Sequence, residues 1–209
     1  MISKETDIPG LNGLVLAGGR SKRMGTDKAL MKWHGEEQRY HIADILMACC
    51  DEVFISCRPD QQHEIDASCK TLPDIFLNKG PLGGILSAFS SQPSKAWLVV
   101  ACDLPLLNED TISFLIAARD PKKYATTYKS PHDGLPEPLI AIWEPRSYPV
   151  LLNSFEEGIT CPRKVLMKMD KKILEPLHPE TLMNVNTPED AIIAKQIIQE
   201  RSNKLDTYE

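Results

Sequence analysis

Leu14-Val15-Leu16-Ala17-Gly18-Gly19-Arg20-Ser21-Lys22-Arg23-Met24-Gly25-Thr26-Asp27-Lys28 joins an apolar run to a glycine pair and a basic loop. That order suits the phosphates of a nucleotide. With no Cβ at Gly18 and Gly19, backbone N–H groups can come close to an anion. Arg20, Lys22, Arg23 and Lys28 add positive charge where a triphosphate would lie. The loop matches neither of the two best-known phosphate cradles. Thr26-Asp27-Lys28 follows Gly25, so the Gly-Lys-Ser/Thr end of a P-loop is missing. Gly-x-Gly-x-x-Gly cannot be laid on Gly18, Gly19 and Gly25 either. Asp103 is the other residue that invites chemistry, because it directly follows the apolar run 97–101. A carboxylate there is a hard oxygen ligand that could hold Mg²⁺ together with nucleotide phosphates; the competing reading is an Asp in a turn before Pro105. Lys28 and Arg23 read either as charges that stabilise phosphoryl transfer or as solvated surface side chains.

These residues need elements to position them. Residues 13–17, 53–57 and 97–101 read as strands, the last buried on both faces. Between the first two, Ile42, Ile45, Leu46 and Cys49 recur at helical spacing, which predicts a helix over 40–49 with one apolar face. Pro81 opens a helix to about residue 90, and Asn108 caps another that reaches about 118, with Glu109 and Asp110 in its first turn. Residues 124–128 and 139–143 read as strands on either side of a proline-rich loop, 130–138. Helices are predicted over 146–155 and 163–169, and a last one runs from Pro188 to about 198, capped by Thr187, with a polar, frayed tail after Arg201. Alternating strands and helices imply an α/β fold with a parallel sheet, whose ligands bind beyond the carboxyl ends of the strands. Gly18 and Asp103 both lie at such ends.

Composition narrows the class. The chain has 209 residues, 42% hydrophobic and 25% charged, the profile of one α/β domain with a real core. A net charge of −5 argues against a general nucleic-acid binder, which needs a basic face. No apolar stretch is long enough for a membrane span, and the polar, acidic first residues are unlike a signal peptide. The six cysteines form no Cys-x-x-Cys pair and read as reduced thiols, so a cytoplasmic protein is expected. The five histidines show no metal pattern, and nothing suggests a covalent nucleophile or a Ser-His-Asp set.

Leu-Ala-Gly-Gly-x-Ser-x-Arg-Met-Gly-x-Asp-Lys, from Leu16 to Lys28, closely resembles the signature loop of the molybdenum cofactor guanylyltransferases. Gly80-Pro81-Leu82-Gly83-Gly84, Cys102-Asp103-Leu104-Pro105 and Asn184-Val185-Asn186-Thr187-Pro188-Glu189 fit the same family, in order over nearly the whole chain. The resemblance implies a three-layer, Rossmann-like α/β fold with a mostly parallel central sheet. It implies transfer of GMP from GTP to molybdopterin carrying molybdenum, with release of pyrophosphate and Mg²⁺ as cofactor. Cofactor-delivery or molybdoenzyme-chaperone proteins would be its partners. Leu16, Ala17, Gly18, Gly19, Lys28, Asp74 and Asp103 would bind the nucleotide. Lys28, Arg23 and Asp103 would be catalytic, with Asp103 on the metal. Without the resemblance Asp74 reads as a turn residue. Asn186 would assist metal or acceptor, or simply cap the last helix. The 134–138 loop and residues 162–164 would face the pterin, with Arg163 and Lys164 suited to its phosphate. The single domain would divide into a nucleotide-binding half, about 12–120, and an acceptor-binding half, about 121–201.

The sequence also admits a sibling cytidylyltransferase, whose loop reads Leu-Ala-Ala-Gly, a sugar-phosphate nucleotidyltransferase, or a non-catalytic nucleotide binder. Two departures from the family stand out. Ile55-Ser56-Cys57-Arg58 has no asparagine at the end of the second strand, and no role is assigned to Ser56. Glu36-Glu37-Gln38 replaces a more apolar link to the first helix.

Overall fold

Unbroken apolar runs need cover on both faces, and the chain provides it with a seven-stranded sheet between helical layers. The computed structural model describes residues 8–18, 28–77 and 79–205. Strands β1 (Leu11–Leu16), β2 (Val53–Cys57), β3 (Thr71–Pro73), β4 (Ala96–Ala101), β5 (Ala125–Lys129), β6 (Pro136–Trp143) and β7 (Lys171–Leu174) lie in the order β3-β2-β1-β4-β6-β5-β7. Only β6 runs against its neighbours, β4 and β5; the remaining pairs are parallel. The expected mostly parallel α/β sheet is therefore present.

Helices α1 (Gln38–Met47), α2 (Pro81–Ser91), α3 (Glu109–Ala117), α4 (Ser147–Glu156), α5 (Pro162–Lys168) and α6 (Pro188–Leu205) cover it. Successive strand residues point to opposite faces. Val15, Leu98 and Val100 meet Ile42 and Leu46 of α1 and Ile112 and Leu115 of α3. Leu14, Trp97 and Val99 meet Leu82, Ile85 and Phe89 of α2, with Leu151, Val165 and Leu166 from α4 and α5. β4 is buried along its whole length at the centre of the sheet. The Asn108 cap is as expected: its side chain accepts from the Thr111 N–H at 3.0 Å. The six cysteines are free thiols. Among the described residues, no helix is long and apolar enough to cross a membrane.

The structure corrects the sequence reading in four places. β1 starts at Leu11 rather than Gly13, because Leu11 and Asn12 continue the ladder with Ala96 and Trp97. β6 starts at Pro136, inside the stretch expected to be loop. Its ladder with β4 begins only at Ile140, so the prolines owe no hydrogen bond on that side. The short strands β3 and β7 were not anticipated. Finally, α6 extends to Leu205 in place of a frayed tail, anchored where Arg201 donates from Nη1 to the Leu106 carbonyl at 3.2 Å.

Candidate active site

β1 connects onward to β2 on one side of it, whereas β4 lies on its other side, so the strand order reverses between β1 and β4. A crevice opens at such a switch point. Leu16 is in register with Ala101, so Ala17-Gly18 and Cys102-Asp103 leave the sheet side by side. Leu16 also pairs with Ser56, and Ala17 N–H donates to the Ser56 carbonyl at 3.0 Å. Because β6 is antiparallel to β4, its beginning reaches the same edge and brings Glu137 toward Asp103.

Lys28 and Asp103 meet there, with Nζ 3.6 Å from Oδ2. Lys28 Nζ also donates to Asn186 Oδ1 at 2.6 Å, across 158 residues of sequence. The segment before α6 thus returns to the strand edge, and Val185 N–H holds the Asp103 carbonyl at 2.8 Å. The cap of α6 comes from other groups. Asp190 accepts from the N–H groups of Asn186 and Thr187, each at 2.9 Å, and its own N–H donates to Thr187 Oγ1 at 3.2 Å. The Asn186 side chain is left for Lys28. Burial pushes the Asp103 carboxyl above the usual carboxylate range; the Lys28 charge pulls it back, and Glu137 adds a like charge. Asp103 Oδ1 is buried and has no hydrogen-bond partner among the described residues.

Asp74 lies beyond β3 at the same edge. Ser56 Oγ donates to its Oδ1 at 2.7 Å, and its backbone N–H donates to the Cys57 carbonyl at 2.9 Å. Burial raises the Asp74 carboxyl, with the Ser56 hydroxyl and the Arg58 charge opposing. Arg58 Nη1 donates to the Gly18 carbonyl at 3.1 Å. A Cβ at Gly18 would sit 3.4 Å from Arg58 N and 3.5 Å from Asp74 Oδ2, ordinary contacts that the protein itself tolerates. Among the described residues nothing requires its bareness, which leaves room for something that approaches from outside. Gly83 and Gly84 are different: a Cβ would come within 2.4 Å of the Phe76 carbonyl oxygen and 2.7 Å of Ser56 Oγ, so close packing accounts for both. Gly80, at φ 60°, makes the turn that starts α2.

Arg163, expected toward the acceptor, is held by two carboxylates: Nη1 donates to Asp133 Oδ2 at 2.6 Å and Nη2 to Glu137 Oε2 at 2.8 Å. These bonds tie the 134–138 stretch to the start of α5, while Lys164 stays exposed. Gly19, Arg20, Lys22 and Arg23 lie outside the described residues. Of the residues expected on the nucleotide, Leu16, Ala17, Gly18, Lys28, Asp74 and Asp103 converge on this one edge. Ser56 and Arg58 were missed as members of it, and Glu137 was expected only as part of the 134–138 stretch on the acceptor side. The signal for Ser56 was its register with Leu16, which a single sequence does not display.

The donor set suits a hard cation. Among the described residues, no group of three or more His, Cys, Asp or Glu side chains converges into a cage. One carboxylate with a buried oxygen that no described residue hydrogen-bonds is a donor of the kind that Mg²⁺ shares with nucleotide phosphates.

Residues 13–173 match the model of the MobA-like NTP transferase domain. The chain is 38% identical over 181 residues to a molybdenum cofactor biosynthesis bifunctional protein of Synechocystis sp., an alignment covering 86% of this chain and 52% of that one. The chain thus spans about half the length of that relative. It is 33% identical over 186 residues to a probable molybdenum cofactor guanylyltransferase of Nostoc sp., covering 88% and 89% of the two chains. The fold is similar to that of molybdopterin-guanine dinucleotide biosynthesis protein A from Archaeoglobus fulgidus, with a TM-score of 0.74, 20% identity and coverage of 90% and 99%. By the extent of that domain match, which takes in the glycine-rich stretch 14–28, Asp74 and Asp103, the chain belongs to the family of MobA-like NTP transferase domains.

Proposed function

We propose that this nucleotidyltransferase is a Mg²⁺-dependent molybdenum cofactor guanylyltransferase, which transfers GMP from GTP to the terminal phosphate of molybdopterin carrying molybdenum and releases pyrophosphate. The observation that carries the reading is the meeting of Lys28, Asp103 and Asn186 beside the bare Gly18 backbone at the switch point. The names of the relatives from Synechocystis and Nostoc support the acceptor.

An oxygen of the acceptor phosphate attacks the α-phosphorus of GTP, and the bond from that phosphorus to the bridging oxygen of the β-phosphate breaks. The acceptor is already an anion, so no general base is needed, and catalysis is alignment plus charge stabilisation. Gly18, Gly19 and Lys28 bind the triphosphate, Asp74 the nucleoside, and Arg23 adds charge to the loop. Asp103 would hold Mg²⁺, which when bound neutralises charge on the phosphates. Asn186 keeps Lys28 in place. Residues about 12–120 would serve the nucleotide and about 121–201 the acceptor, within one cytoplasmic domain.

The test is pyrophosphate release from purified protein with Mg²⁺, a molybdopterin acceptor, and GTP, CTP or ATP in turn. Release with GTP alone is expected. Release with CTP would overturn the choice of base, and no release with any would overturn the acceptor.

A further inference from the structure

Gln38 is fully buried at the start of α1. Its Nε2 donates to the Leu104 carbonyl at 3.2 Å, while its Oε1 is buried with no partner among the described residues. As packing, a leucine would serve better, because it leaves no amide oxygen unpaired. The donor matters for where it lands, on the residue directly after Asp103.

Successive carbonyls of that segment each take a donor from a different part of the chain. The Asp103 carbonyl accepts from Val185 N–H at 2.8 Å, Leu104 from Gln38 at 3.2 Å as well as from Leu107 N–H at 3.3 Å within the turn, Pro105 from His34 Nε2 at 2.8 Å and Leu106 from Arg201 at 3.2 Å. Beside the segment lies a cavity of about 420 Å³, lined in part by His34, Ile45, Leu107 and Ile198. Leu104, Leu106 and Leu107 are themselves buried, so these hydrogen bonds act together with packing to hold the segment. Gln38 and His34 belong to the stretch that begins with Lys28. That stretch is closed on itself where Gln38 N–H donates to the Met31 carbonyl at 2.9 Å and Lys32 bridges to Glu37. The two side chains therefore join the piece that carries Lys28 to the piece that carries Asp103.

We propose that Gln38 is a positioning residue for Asp103: through the Leu104 carbonyl it fixes the turn that aims the carboxylate and sets its separation from Lys28. The inference rests on reading Asp103 as the metal-binding carboxylate. Groups that orient a metal ligand typically alter metal affinity about 10–100-fold when removed.

The experiment is direct binding of Mn²⁺ in the presence of GTP, read by electron paramagnetic resonance of the free ion, with thermal melts of the metal-free protein alongside. Gln38→Leu is expected to melt normally and bind Mn²⁺ about tenfold more weakly. Equal affinity would make Gln38 a core residue only and overturn the inference. If the parent protein with GTP takes up no Mn²⁺, the reading of Asp103 fails first and the inference with it. Should Gln38→Leu not fold, His34→Ala decides, since His34 is exposed and holds the adjacent carbonyl. It must weaken Mn²⁺ binding too, and an unchanged affinity would overturn the inference.

Discussion

Replacing Asp103 by Asn keeps the outline of the side chain and removes its charge, and the structure predicts opposite effects on stability and turnover. Burial raises the Asp103 carboxyl, and the Lys28 charge at 3.6 Å only partly offsets it. The native state therefore holds this proton more readily than the unfolded chain, so stability falls as pH rises through the carboxylate range. Asparagine does not titrate. The gain of Asp103→Asn over the parent is thus absent in acid, below the unfolded carboxyl's pKa, and complete near neutral pH. Leaving a neutral rather than a charged oxygen unpaired in this site is worth on the order of 1 kcal/mol, or about 2–4 °C in melting temperature for a domain of this size. Lys28 keeps the Asn186 amide oxygen, so its own charge is not stranded. Turnover moves the other way. Loss of one group that stabilises charge in the transition state costs about 100–1,000-fold, while GTP still has Lys28 and the Gly18 backbone to bind. The assay pairs metal-free melts at acid and neutral pH with pyrophosphate release at saturating GTP. A variant that melts lower at neutral pH would make the Asp103–Lys28 pair a structural ion pair. A variant that turns over normally would take Asp103 off the metal.

Lys28→Ala should lower turnover about 100-fold with little change in melting; an unchanged rate removes Lys28 from the mechanism. Gly18→Ala should fold as the parent does, given contacts no closer than 3.4 Å for the added Cβ, and raise KM for GTP. An unchanged KM would mean that no ligand approaches that backbone. Ser56→Ala deletes a hydrogen bond that holds the Asp74 carboxyl down against burial, so that carboxyl rises further. GTP affinity measured across pH should then lose its acid limb at a higher pH than in the parent, and an unmoved limb would take Asp74 out of nucleotide binding.

What could be read from the sequence was whatever a single element encodes locally. The apolar run at β4, the Asn108 and Thr187 caps and the proline that opens α2 all declare themselves within a few residues. So did the ends of β1 and β4, because a glycine pair and an Asp that directly follow buried strands have few local explanations. Pairing between strands was not legible. The ladder of Leu11 and Asn12 with Ala96 and Trp97 lengthens β1, and the late start of the β4–β6 ladder lets Pro136 and Pro138 lie in a strand. Register also brings Ser56 to Leu16 and Glu137 toward Asp103, and neither follows from composition or periodicity. Arg163 shows a related limit: it was expected to meet an acceptor phosphate, yet two carboxylates of its own chain already engage its guanidinium.

The matched domain ends at residue 173, yet the groups that steady the edge where Lys28 and Asp103 meet continue past it. Val185 holds the Asp103 carbonyl, Asn186 holds Lys28, and Arg201 holds the Leu106 carbonyl. An open sheet leaves the loops at its strand ends uncovered on the solvent side, and here the chain returns over them before and along α6. The apolar contact that docks this return is small: Leu106, Val185 and Ala194, with Trp33, Ile197 and Ile198 partly buried against them. Leu106 belongs to the segment being positioned, and Trp33 belongs to the stretch between Lys28 and Gln38. The return therefore packs on the two pieces whose separation sets the Lys28–Asp103 distance. Loosening it would free both at once, while the cores on the two faces of the sheet stay intact. The site is thus held by this small apolar contact together with the hydrogen bonds from Gln38, His34, Val185 and Arg201, apart from the two large cores.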